Sequence, residues 1–143
     1  SLPTFRDKTE TGTREFAVNF QLASDIKKRA REILSRVDMP HIDGKRLAFI
    51  RSYGSVSRAR ARIWAFPRIW SVALGLEPHY VIEVLTEKFD KLGFDDQTKV
   101  IIHELLHIPK TFSGALKPHR TRYFHLEREV TRIYKEYCRT GRK

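Results

Sequence analysis

Val100 to His107 reads VIIHELLH, and it is the stretch of the chain with the residue types for chemistry. His103 and His107 are four positions apart, so on a helix both imidazoles lie on one face, within reach of a single metal ion. Glu104 follows the first histidine, close enough to such an ion to take a proton from the water it activates. This HExxH spacing is the logic of a zinc-dependent hydrolase. The competing reading is a buried helix with incidental histidines. The apolar context of the helix and the further histidines downstream argue against it.

A helix must hold those residues in place. Val100, Ile101, Ile102, Leu105, Leu106 and Ile108 make it apolar nearly all round, which predicts a buried central helix with His103, Glu104 and His107 on a cleft floor. Asp95 or Asp96 is expected to cap it, and Pro109 stops it at Ile108. Lys110 to Lys117 reads as a loop bending at Gly114. Pro118 suits the first turn of a last helix, whose stripe runs Tyr123, Leu126, Val130, Ile133 and Tyr137 and ends near Gly141.

Upstream, Phe16, Phe20, Ala23, Ile26, Ala30, Ile33, Leu34 and Val37 recur at helical spacing, which predicts an N-terminal helix, clearest over 22–37. Residues 46–52, 60–66 and 80–85 alternate or are β-branched and predict three strands. A short helix over 68–76 closes at Gly75, and 87–92 makes one helical turn. Residues 1–14 read as a loosely held tail before a single domain over 15–143. The expectation is an α+β fold: a small three-stranded sheet, an N-terminal helix, the buried HExxH helix and a C-terminal helix.

Composition narrows the setting. The chain has 143 residues, enough for one core, and a formal net charge of +11. Such a charge permits contact with nucleic acid without requiring it. The single cysteine, Cys138, excludes an internal disulfide and suits a reducing compartment, and no apolar run approaches a membrane span. The first thirty residues carry no secretory pattern. A cytoplasmic protein is expected, of unspecified oligomeric state. Few Asn, Gln, Met and Cys residues beside abundant Arg, Lys and Glu point to a thermophilic source.

VIIHELLHIPKTFSGALKPH resembles the HELLHIPxxFSG core of a metallopeptidase family of archaea and phages. RIWAFPRIW and HYVIEV share the resemblance, which spans Arg46 to about Phe124. More distantly, the chain is similar to SprT-like and other minimal zincin peptidases. The resemblance implies a minimal zincin fold, one catalytic zinc and proteolysis of a peptide or protein substrate. It also implies an edge strand, over 80–85 or 60–66, that aligns substrate.

A catalytic zinc takes three protein ligands and keeps a fourth position open. The HExxHxxGxxH pattern is excluded, because Lys110 and Ser113 stand where it needs Gly and His. His119 is the expected third ligand, as a histidine that precedes a bulky aromatic, here Tyr123, in the SprT-like manner. Glu127, twenty residues beyond His107, is the alternative, and His125 a lesser one. Tyr123 is the expected source of a hydroxyl for an oxyanion, with Tyr134 and Tyr137 as further candidates, although tyrosines at such spacing more often pack in a core. His41 and His79 read as loop histidines. Arg58, Arg60, Arg62 and Arg68, with Trp64 and Trp70 between them, could grip phosphates and stack bases. A solvated strand face explains them equally well. The alternative function is thus a basic nucleic-acid-associated module whose zinc is structural or inactive.

Overall fold

A computed structural model describes residues 5–8 and 15–141. It is α+β. The strands are β1 (Phe5–Lys8), β2 (Glu15–Leu22), β3 (Leu47–Tyr53), β4 (Ala61–Ala65) and β5 (Tyr80–Leu85). The helices are α1 (Ser24–Arg36), α2 (Arg68–Leu74), α3 (Thr86–Phe89), α4 (Phe94–Leu106) and α5 (Leu126–Thr140). The sheet order is β1-β2-β3-β5-β4. β3 and β5 are parallel, whereas β1–β2, β2–β3 and β4–β5 are antiparallel.

The sheet is therefore larger than the three strands expected. β3, β4 and β5 fall where the alternation placed them, but two strands precede them. Phe16, Val18, Phe20 and Leu22 alternate with Glu15, Ala17, Asn19 and Gln21. That period of two belongs to β2, and the helical stripe begins only at Ala23. Phe5–Lys8, within the stretch read as a loose tail, pairs with β2 from Phe5↔Val18 to Lys8↔Glu15. The rest of that tail, 1–4 and 9–14, lies outside the described residues.

The core forms where α1, α4 and α5 meet the sheet. Ile26, Ala30 and Ile33 of α1, Ile101, Ile102 and Leu105 of α4, and Leu126, Val130 and Ile133 of α5 are all buried beside Leu47, Phe49, Ile82 and Val84. Shortening one of the Ile or Leu side chains here to Ala would cost about 2–5 kcal/mol. α4 thus runs through the middle of the molecule, packed against α1, α5 and β4.

Two helix starts differ from expectation. α4 is preceded by Gly93 at the cap position, and Asp95 and Asp96 lie in its first turn, where their charge still favours the positive end of the helix. α5 begins at Leu126, not at Pro118. Residues 118–125 instead fold back on themselves, with an Arg120↔His125 bridge, Thr121 N donating to Phe124 O at 2.8 Å and Leu126 N to His119 O at 2.9 Å. Thr121, Tyr123 and Phe124 favour extended backbone, and Pro118 accepts a turn as readily as a first helical turn.

Candidate metal centre

α4 carries His103 and Glu104 in its last turns, and His107 is its C-cap in helical geometry (φ −70°, ψ −15°). The imidazoles of His103 and His107 therefore stand on one face, ring centroids 5.2 Å apart. His119 reaches the same point from the loop after α4, its ring 5.1 Å from that of His103 and 4.7 Å from that of His107. One nitrogen from each of the three lies within 4.8 Å of the others.

The loop that delivers His119 is pinned to the sheet. Phe112 is buried with φ 49°, and its ring meets Tyr80 edge-on at 5.0 Å. The Tyr80 hydroxyl accepts from Gly114 N and donates to Ala115 O, both at 2.8 Å. Gly114 has φ 93°, a conformation that disfavours any side chain there. The Phe-Ser-Gly stretch thus fixes the loop by one apolar anchor and one left-handed turn.

Outer partners orient the rings. His107 Nδ1 lies 2.5 Å from Lys117 O, and a carbonyl can only accept, so the proton sits on Nδ1 and the Nε2 lone pair is free. His103 Nδ1 lies 3.2 Å from Glu127 Oε1, which fixes the same tautomer. His103 Nε2 then faces His119 Nε2 at 3.2 Å. Two imidazole lone pairs that close need a shared cation or proton between them. Tetrahedral zinc, bonded to nitrogen at about 2.0–2.1 Å, separates its ligand nitrogens by about 3.3 Å, so the donor set fits that ion.

Electrostatics agree with a cation site. Burial holds His103 below its usual pKa, and repulsion by His107 and His119 adds to this while Glu127 opposes it. Burial likewise lowers His107, against the bond to Lys117 O. Glu104 is 6% exposed, its Oε2 is 3.9 Å from His103 Nε2, and burial alone pushes its carboxyl to about 8. The neutral imidazole is the form in which histidine ligates a metal.

A cleft of about 680 Å³ borders this centre at His103 and Glu104, and Glu127 and Tyr134 from α5 and Arg60 and Ala61 at the start of β4 also line it. Glu127, the alternative ligand, thus belongs to the site but contacts the far nitrogen of His103. Tyr123 is 89% exposed and is not among the cleft-lining residues, whereas Tyr134 is. Tyr137 is buried, its hydroxyl donating to Glu32 at 3.2 Å. His125 and His41 line a different cleft, and His79 bonds Glu77 O.

One of the four arginines is already engaged. Arg62 bonds the buried Glu83 through Nε at 2.9 Å and Nη2 at 3.3 Å, and Trp64 Nε1 donates to the same carboxylate at 2.8 Å. Arg58, Arg60 and Arg68 are exposed. Lys117 O and Tyr80, which hold the site in shape, carried no signal in the sequence: one acts through its backbone, the other from a strand core.

An α+β domain with three converging histidines and a buried glutamate on its central helix has the parts of a metallopeptidase. A family model described as "Putative phage metallopeptidase" matches residues 18–139, and the chain belongs to that family. The match covers β2 through α5, the whole of the scaffold around the centre. No curated protein and no solved structure matches the chain. Among the described residues, no helix is long and apolar enough to cross a membrane.

Proposed function

We propose that the chain is a zinc-dependent peptidase in which His103, His107 and His119 hold the ion and Glu104 is the general base. The observation that carries this reading is the convergence of three imidazole nitrogens within 4.8 Å beside the Glu104 carboxylate. Among the described residues the cluster has three ligands, whereas a structural zinc is closed by four. Zinc bound there would supply Lewis acidity, polarising the scissile carbonyl and acidifying water.

Glu104 takes the proton as water oxygen bonds to the carbonyl carbon, and returns it to the amine as the C–N bond breaks. Glu127 and Lys117 O keep the two α4 imidazoles turned inward. β4 aligns the substrate. Arg60 O accepts from Leu85 N and Phe66 N donates to His79 O, so the even-numbered residues between them turn their backbone toward β5. Ala61, Ile63 and Ala65 turn theirs outward, along an edge that has no strand partner among the described residues. Ala61 lies at the lip of the cleft, where an extended peptide would pair. β5, the other strand considered for this role, is paired on both sides.

The test compares the chain with Glu104→Gln on a broad peptide library, alongside metal analysis. Close to one zinc per chain is expected in both, with hydrolysis about 10²–10⁴-fold slower in the variant. Equal rates would remove Glu104 from the mechanism, and folded protein that takes up no zinc would end the reading.

A further inference from the structure

On the other side of the loop that delivers His119 lies a second cleft, of about 580 Å³, which the peptidase reading leaves without a role. Its polar lining is mostly basic: Lys110 and Lys117 from the loop, Arg128 and Arg132 from α5. Two carboxylates oppose these four cations, Asp38 and Glu129, leaving two positive charges in excess. Glu129 is bonded to Arg132 at 2.7 Å, so that pair is internally satisfied. Lys110 and Arg128 are exposed and have no ion pair among the described residues.

Two histidines complete the lining. His125 Nδ1 is buried and has no hydrogen-bond partner among the described residues. His41 Nε2 is 3.3 Å from Ile108 O. The apolar lining open to a ligand is Pro40, Tyr123 and the ring of Phe124, over which Lys117 Nζ sits at 3.7 Å from the centroid.

We propose that this cleft binds a small organic phosphate of about the size of a nucleoside monophosphate. A phosphate monoester brings close to two negative charges and three acceptor oxygens, matching the excess charge and the donors converging from two elements. A single carboxylate would leave part of that charge uncompensated. The volume exceeds what a bare phosphate fills, and the Pro40, Tyr123 and Phe124 wall provides for an apolar or planar body. It suits one nucleotide and not a strand. The site does not depend on the peptidase reading, because none of the proposed metal ligands lines it.

The experiment titrates the protein, both zinc-loaded and after chelation, with adenosine monophosphate, inorganic phosphate, adenosine and a glutamate-rich peptide. Adenosine monophosphate is expected to bind below ~1 mM in both forms, with inorganic phosphate competing more weakly and adenosine not binding. The double variant Lys110→Ala/Arg128→Ala should weaken it at least about tenfold while thermal unfolding and zinc content stay unchanged. Four results would overturn the assignment: no binding up to ~10 mM, affinity lost on chelation, affinity unchanged in the double variant, or tighter binding of the acidic peptide. Inorganic phosphate binding as tightly as the nucleotide would overturn the role of the apolar wall and, with it, the organic ligand.

Discussion

Glu127 Oε1 lies 3.2 Å from His103 Nδ1, on the ring nitrogen that does not face His119. A carboxylate there fixes the tautomer and raises the basicity of the opposite nitrogen. Glu127→Ala should therefore weaken zinc by about 10–100-fold. His119→Ala removes a direct bond and should weaken it far more. A chelator competition titration measures both, and equal or reversed effects would make Glu127 the ligand.

Ala61→Pro removes an outward N–H at the lip of the cleft without removing a bond to β5. Proline is tolerated at the first residue of an edge strand. The expected result is a KM raised about tenfold, for one lost substrate hydrogen bond, with zinc content and thermal stability near those of the parent. Steady-state kinetics on a peptide substrate with the parent and Ala61→Pro decides this; an unchanged KM would place the substrate elsewhere.

Glu83 is 1% exposed, and although burial pulls its pKa up, the bonds from Arg62 and Trp64 hold it below its usual 4.5. In that window the unfolded chain binds more protons, so stability rises with pH. The contribution is present above about 4.5 and is lost as pH falls through the lowered value. Urea melts between about pH 3 and 6 should show this slope, and Glu83→Gln should flatten it.

Arg58, Arg60 and Arg68 are available to phosphates, whereas Arg62 is committed to Glu83. If the chain contacts nucleic acid, binding should be weak and fall steeply with salt, and the triple alanine variant at 58, 60 and 68 should reduce it. Arg62→Ala should instead cost about 2–3 kcal/mol of stability, less than a fully buried pair because Arg62 is 38% exposed. Polarisation titrations with single-stranded and duplex oligonucleotides, together with melts, separate the two effects. No binding below ~100 µM would set the nucleic-acid contact aside.

The sequence was most legible where one element carried its own pattern. α4 announced itself by apolar residues on every side, and Tyr80–Leu85 by β-branching. β2 was hidden because Phe16 and Phe20, four apart, fit a helical stripe as well as an alternating one, and the adjoining α1 continued that stripe. The first two metal-facing histidines follow from spacing on one helix. His119 depends on a loop whose path is set by Phe112, Gly114 and the Tyr80 hydroxyl, contacts 32 to 35 residues apart in part and invisible to local periodicity. The outer partner of His107 is a main-chain carbonyl, which any residue type could supply.

Lys117 turns its main chain toward one site and its side chain toward the other. Its carbonyl and amide both bond His107, while its ammonium lies in the phosphate cleft. The two duties occupy different atoms of one residue. Mutation can therefore rewrite the ammonium's duty while the peptide bond goes on performing the other, so the second cleft is free to drift, change ligand or fall silent under selection that never relaxes on the first.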